Sequence, residues 1–253
     1  MTEMSKSKKI VVIGGTGLIG SKVVEILREA GHEAVVASSR NGINAYTGEG
    51  LAEALGGADA VIDVSNMMSF DRDVITDFFA TSSRNLTTAE QAANVRHHVA
   101  LSIVNADRLV DNPYMAGKVA QEEAVAVSGQ PYTIVRATQF HEFMETLVGA
   151  YSVEGVVTVP DIDFQPIAAV DVATALVEVA LAQPKNTPVD LAGPERASFA
   201  SFTRSYLDTQ GDTRPVSSDH TVDYFGAPVV TGSLVPSGNF KKGQISLAEW
   251  QRT

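Results

Sequence analysis

Residues 9–31, KIVVIGGTGLIGSKVVEILREAG, narrow the possible folds more than any other stretch. A five-residue run, KIVVI, apolar from its second residue on, leads into glycines at 14, 15, 17 and 20. Apolar residues at helical spacing follow, and Gly31 stops the helix. A strand apolar on both faces must be covered on both faces, and a helix directly after it is half of a parallel crossover. The alternation continues along the chain. EAVVASS reads as a second strand, residues 43–46 as a weak third, and GEGLAEAL as a short helix. DAVIDVS is a fourth strand, residues 73–93 a long helix, and HHVALSIV a fifth strand. DNP then opens a helix, with Asp111 or Asn112 able to cap it and Pro113 suited to its first turn; it runs to about Ser128. YTIVRA and VDLAG supply a sixth and a seventh strand. The pattern predicts a parallel sheet covered on both faces, wound by right-handed crossovers.

A chain of 253 residues is long enough for one large α/β core, with or without a small lobe. Its net charge of -11 opposes binding a polyanion through charge neutralisation, so no nucleic-acid partner is expected. No run approaches the ~20 apolar residues that span a bilayer, so no membrane partner is expected either. Cysteine is absent, which excludes disulfides, thiolate nucleophiles and cysteine-based metal sites. The opening MTEMSKSKK lacks the apolar run of a signal peptide and reads as a loose tail over residues 1–8, which makes the cytoplasm the expected compartment.

The glycines carry the first chemical reading. Gly15, Gly17 and Gly20 fit G-x-G-x-x-G, and Gly14, Gly17 and Gly20 fit a three-residue spacing. Tight strand–helix turns also use glycine for steric reasons alone. Here the strand before and the helix after are the context in which Gly14, Gly15, Thr16, Gly17, Leu18, Ile19 and Gly20 can seat a dinucleotide pyrophosphate on free helix N–H groups. The end of the second strand bears on the choice of cofactor. An acidic residue there accepts from the ribose 2′-OH of NAD. This chain has Ser38, Ser39 and Arg40, while Glu33 lies at the wrong end. Ser39 and Arg40 suit a 2′-phosphate, so NADP is expected, with NADPH preferred over NADH.

Tyr114 and Lys118 stand one helical turn apart at the start of the helix after the fifth strand. A free phenol with a pKa near ~10 is a poor proton donor at neutral pH, and an ammonium beside it favours the phenolate. Lowering its pKa by about three units corresponds to roughly 4 kcal/mol. Such a tyrosine protonates a carbonyl oxygen as hydride arrives from a nicotinamide, and the lysine can also hold the nicotinamide ribose. Tyr-x-x-x-Lys alone arises by chance; its place near the carboxyl edge of the sheet gives it weight.

VVIGGTGLIG, LAEALGGADAVIDVS, YMAGKVAQEEAVAVSGQPYTIVRATQF and PIAAVDVATALVEV together resemble the short-chain dehydrogenase/reductase superfamily, and within it the atypical NmrA-like NAD(P)-binding branch. The resemblance spans most of residues 9–182. It implies a Rossmann-like doubly wound fold with a small C-terminal substrate lobe. It also implies pyrophosphate on Gly14 to Gly20, a cofactor-lining loop at Ser65 and Asn66, and proton transfer by Tyr114 with Lys118. A hydroxyl that orients the substrate oxygen is usual in the superfamily at the end of the fifth strand. Ser102 is the only hydroxyl on that strand, a residue or two early, and Asn105 is a possible substitute. Extended members carry an asparagine where this chain has Phe79.

These readings imply an NADPH-dependent reductase of a small apolar carbonyl or quinone-like compound. A dinucleotide sensor without turnover and an epimerase or dehydratase with retained cofactor are the alternatives. A core over residues 9–195 and a small lobe over 196–253 are expected, with parts of 140–168 lining a substrate cleft. Met67, Met68, Phe140, Phe143 and Met144 lie near its presumed mouth, though Phe140, Phe143 and Met144 fit helix packing better. His32, His97, His98 and His220 read as surface or strand-entry residues and form no metal site. His141 is the histidine closest to a substrate space, though isolated histidines often have no catalytic task. The oligomeric state is left open.

Overall fold

The computed structural model describes residues 7–252. The tail expected over residues 1–8 therefore lies mostly outside the described residues. Its last two members are tied down: Ser7 donates to the Gly31 carbonyl, and the Lys8 ammonium to that of Leu181.

The N-terminal half alternates as β1 (Lys9–Ile13), α1 (Leu18–Glu29), β2 (Glu33–Ala37), α2 (Leu51–Leu55), β3 (Ala60–Asp63), α3 (Arg72–Ala92), β4 (His98–Ile103), α4 (Pro113–Val127) and β5 (Tyr132–Ala137). Then come α5 (Met144–Ala150), β6 (Ser152–Val153), β7 (Val156–Pro160), β8 (Asp163–Phe164), α6 (Ala169–Leu181), β9 (Pro188–Ala192), β10 (Ala197–Ser198), α7 (Phe199–Thr209), β11 (Val216–Asp219), β12 (Phe240–Lys242) and α8 (Leu247–Trp250). Seven strands form one sheet in the order β12-β9-β5-β4-β3-β1-β2, all parallel. This is a Rossmann-like α/β fold. The chain runs from β1 outward to β2 and then returns to the other side of β1 for β3. The crevice of an open α/β sheet lies at such a reversal, outside the carboxyl ends of the strands.

Two of the sheet's features depart from the sequence reading. Residues 43–46 form no strand. The Asn44 side chain accepts from the Tyr46 N–H at 2.9 Å, and the Gly48 N–H bonds back to the Asn44 carbonyl at 2.9 Å. These local bonds satisfy a turn and leave β2 at the sheet edge. The seventh strand comes instead from residues 240–242, paired with β9. That segment is exposed along its length and carries two lysines, a composition common on an edge but silent in apolar periodicity.

One face of the sheet is covered by α1 and α6, whose Val23, Leu27, Val172 and Leu176 are fully buried against it. The other face carries α2, α3 and α4, with Leu51, Leu55 and Leu86 in the core. A separate apolar cluster joins α5, β7, α7 and the segment that follows; there Phe164 and Phe199 stack at 4.3 Å. The Asn105 amide donates to the carbonyls of Gly232, Ser233 and Val235, so it clips this cluster to the end of β4. No helix among the described residues is long and apolar enough to cross a membrane.

Candidate active site

Backbone contact alone brings the glycine turn against the end of β3. Gly14 adopts φ +78°, and a β-carbon there would lie 2.7 Å from the Val64 carbonyl oxygen and 3.0 Å from the Ser65 nitrogen. At Gly20 a β-carbon would meet the Gly14 carbonyl oxygen at 2.2 Å. Glycine is a steric requirement at both positions. The Gly14 and Gly15 N–H groups bond to the Ala37 carbonyl of β2, and the Gly17 N–H to the Gly14 carbonyl. Ser21 is the first donor to find an acceptor around the start of α1, the Gly17 carbonyl at 3.0 Å. Leu18, Ile19 and Gly20 thus present N–H groups that α1 cannot satisfy, and Gly17 offers no capping side chain. Three free donors at the positive end of a 12-residue helix, beside an exposed Thr16 and Gly17, fit a pyrophosphate.

Beyond β2 the chain makes one tight turn over residues 39–41. The Asn41 amide donates to the Val36 carbonyl at 2.6 Å and its oxygen accepts from the Ser38 N–H at 2.8 Å. Ser39 and Arg40 are left exposed on the tip, and no carboxylate pairs with Arg40 among the described residues. Glu33 lies at the opposite end of β2.

Asn112 caps α4, accepting from the N–H groups of Tyr114 and Met115, and Pro113 fills the first turn. The cap fixes Tyr114 at the mouth, where its hydroxyl donates to Asn66 Oδ1 at 2.8 Å. Asn66 follows Val64 and Ser65, the residues that press on Gly14. Lys118 does not accompany the phenol. Its ammonium donates to Gln121 Oε1 and lies 4.5 Å from the centre of the Phe79 ring. Phe79 also packs edge-on against Tyr114, with ring centres 6.0 Å apart, so one benzene ring touches both residues. The close approach of α3 and α4 depends on Gly117, where a β-carbon would come within 2.9 Å of the Phe79 ring.

Expected coupling between the pair is therefore not what the structure presents. Burial pushes the Tyr114 phenol up to about 12, with no lysine charge pulling it down. Burial also pulls Lys118 down to about 8, against the attraction of Asp63 and Glu122. The phenol keeps its proton across the neutral range.

Ser102 is buried on β4, on the same strand face as His98, and its hydroxyl has no partner among the described residues. The Ser65 hydroxyl is likewise buried without a partner, beside Gly14. Asn105 has spent its amide on the 232–235 loop. His141 is buried, bonds to the Ile245 carbonyl and packs on Trp250. His97 and His98 do stand at a strand entry, but both are buried rather than at the surface; His98 meets Glu90 at 2.7 Å and His97 meets Thr133 at 2.9 Å. Glu122 forms a two-oxygen pair with Arg136 of β5. Met144 is core, whereas Phe143 and Met68 are exposed.

Three site residues escaped the sequence reading. Asp63 and Gln121 continue the chain of contacts from Lys118, with Gln121 donating to Asp63 Oδ2 at 2.8 Å. Tyr224, from the distal segment, is buried beside Gln139 with Tyr114 within electrostatic reach. Gln121 had a signal: with Lys118 and Glu122 it continues the core-facing stripe of α4 begun by Met115, polar residues where the period calls for apolar ones. Tyr224 had none.

The fold and this cradle define a nicotinamide-dinucleotide-binding protein, and the comparisons agree. Residues 43–183 match the NAD(P)H-binding family model, and the chain belongs to that family, of the NmrA-like, short-chain dehydrogenase/reductase type. Among curated proteins it is 31% identical to the photosystem II assembly factor Ycf39 of Synechocystis sp. over 57% of this chain and 48% of that one. It is 30% identical to the NAD(P)H azoreductase of Xenophilus azovorans over 82% of this chain and 75% of that one. The chain thus spans about half the length of the assembly factor it matches. An NADPH-dependent quinone oxidoreductase from Escherichia coli superposes with a TM-score of 0.69 at 18% identity, covering 96% of this chain and 98% of that one, a likeness of fold.

Proposed function

We propose that this protein is an NADPH-dependent reductase of a small apolar carbonyl or quinone-like compound, with Tyr114 as the proton donor. One observation carries the reading: an unbroken line of contacts runs from Gly14 through Val64 and Ser65 to Asn66, and Asn66 holds the Tyr114 hydroxyl. The group that gives up a proton is thereby tied to the turn that seats the cofactor. When bound, the nicotinamide supplies the hydride. Leu18, Ile19 and Gly20 would hold the pyrophosphate by their N–H groups, Ser39 and Arg40 the 2′-phosphate, and Ser65 and Asn66 line the ring side. Tyr114, protonated at neutral pH, gives its proton to the substrate oxygen, and Asn66 orients the hydroxyl until then. The azoreductase and quinone oxidoreductase relatives support reduction of a conjugated acceptor.

The test is a titration with NADPH and NADH, followed by turnover on quinones, aldehydes, ketones and azo compounds. NADPH is expected to bind more tightly, and Arg40→Ala to lower its affinity roughly 10-fold while sparing NADH. Tyr114→Phe is expected to keep cofactor binding and lose roughly 10²-fold or more in turnover. Failure to bind either nucleotide rejects the proposal.

A second reading, dinucleotide binding without turnover, is favoured by the separation of Lys118 from Tyr114. It predicts NADPH binding with no reduction anywhere on the panel. The assembly-factor relatives make a protein partner its natural output.

A further inference from the structure

We propose that Asp63 and Gln121 form a buried relay that holds Lys118 as an ammonium against the Phe79 ring, which makes both of them positioning residues for the lysine. The inference rests on the reductase reading for its purpose, not for its geometry. All four side chains are almost wholly inside: Asp63 and Phe79 are 0% exposed, Gln121 1% and Lys118 4%.

The chemistry of the donors fixes the direction of the relay. An ammonium only donates, so it must meet the Gln121 oxygen; a carboxylate only accepts, so it must meet the Gln121 amide hydrogens. Both conditions are met at once, by Lys118 Nζ on Oε1 and by Nε2 on Asp63 Oδ2 at 2.8 Å. The second Asp63 oxygen accepts from the Ser65 N–H at 2.9 Å. Both carboxylate oxygens thus have donors in the dry interior, and the glutamine between carboxylate and ammonium is polarised by both. The Phe79 ring face supplies a further attraction to the ammonium.

Among the described residues the other groups around the lysine are engaged elsewhere or uncharged. On α4 itself Glu122 faces the lysine, but its carboxylate is taken up by Arg136 of β5. Tyr114, also on α4, packs edge-on against the same Phe79 ring and keeps its proton. From α3, Phe79 brings no charge, and Glu90 is bound to His98 of β4, whose own charge feels Asp63. Ser102 of β4 shares that strand face and is uncharged. Asp63, which forms no ion pair of its own among the described residues, is thus the counter-charge for Lys118 and is felt by His98 as well. The Ser65 bond adds a consequence: the anion that steadies the lysine is anchored in the loop that borders the glycine turn. Relay and cofactor cradle share one piece of backbone.

The test reads the lysine directly in cofactor-free protein. Lysine labelled with 13C at the ε-carbon is incorporated, and its resonances are titrated by NMR, with Lys118→Met identifying the Lys118 signal. Wild type is expected to titrate near about 8. Asp63→Asn, nearly the same shape, is expected to lower that midpoint by about one pH unit or more, because the charged form loses its counter-ion. Gln121→Glu, which puts a carboxylate directly on the ammonium, is expected to raise it above wild type and decides the matter if Asp63→Asn fails to fold. Midpoints unmoved in either folded variant overturn the relay while leaving the reductase reading intact. Absence of turnover in the wild-type protein, with the shifts as expected, does the reverse.

Discussion

Gly117 sits between Tyr114 and Lys118 in sequence and between α3 and α4 in space. An added methyl there would lie 2.9 Å from the Phe79 ring, 3.2 Å from Ile75 Cγ1 and 3.3 Å from the Ile75 carbonyl oxygen. Both neighbours are completely buried, so neither can swing into solvent. Overpacking of this kind costs about 1–3 kcal/mol, and the better helix propensity of alanine returns about 1 kcal/mol. Gly117→Ala is therefore expected to lose about 1 kcal/mol net, seen as a lower urea midpoint with an unchanged slope. The only soft way out is rotation of Phe79, whose ring touches both Tyr114 and Lys118, so turnover is expected to fall further than stability explains. At this scale the sequence was legible only in part. Tyr114 and Lys118 could be paired from their spacing, because a helix puts i and i+4 on one face. The direction Lys118 takes could not, because Gln121 and Asp63 decide it, and Asp63 arrives from a strand more than 50 positions away in sequence.

Helix α4 shows what an element contributes that its residues do not. Asn112 accepts two N–H bonds at its start and donates to the Phe225 carbonyl at 3.3 Å, so a single amide sets the helix and anchors the distal segment. Asn112→Ala removes a cap worth about 1 kcal/mol, and the loss of the Phe225 bond adds to it. The expected result is a destabilisation of about 1–2 kcal/mol in urea, with weaker turnover because Tyr114 is the second residue of the frayed turn. An unchanged midpoint would show that packing on α3 sets the helix start without the cap. The start of this helix is legible in DNP, since capping is local chemistry. Residues 43–46 and 240–242 depart from their sequence patterns for the opposite reason. The first has a strand-like composition, but Asn44 and Gly48 close it into a turn; the second has no apolar alternation at all and becomes a strand because β9 offers an open edge.

For the molecule as a whole, acidity acts through buried histidines of opposite sense. Burial holds His97 down to about 4, helped by the nearby His98 and Lys8 charges and opposed by the Ala182 backbone. In the unfolded chain a histidine titrates near ~6.5. Its contribution is thus complete above about pH 6.5. It drains away as pH falls toward about 4, where the unfolded chain holds a proton the folded one refuses, a loss on the order of 3 kcal/mol. His141, lowered by burial, acts in the same direction. His98 runs the other way: burial opposes its charge, but Glu90 and Asp63 outweigh burial and raise it. Its contribution is present below about pH 6.5 and is lost as pH climbs through its folded value. Meanwhile the net charge of -11 shrinks on acidification and relieves self-repulsion. A wild-type pH profile sums all of these, so only a difference isolates His97. His97→Gln can keep a hydrogen bond to Thr133 while removing the titration. In urea unfolding from pH 7.5 to 4.5, the variant is expected to start at or below wild type and to gain on it steadily below pH 6.5. Two curves that stay parallel would mean that His97 takes up its proton in the folded protein as readily as in the unfolded chain.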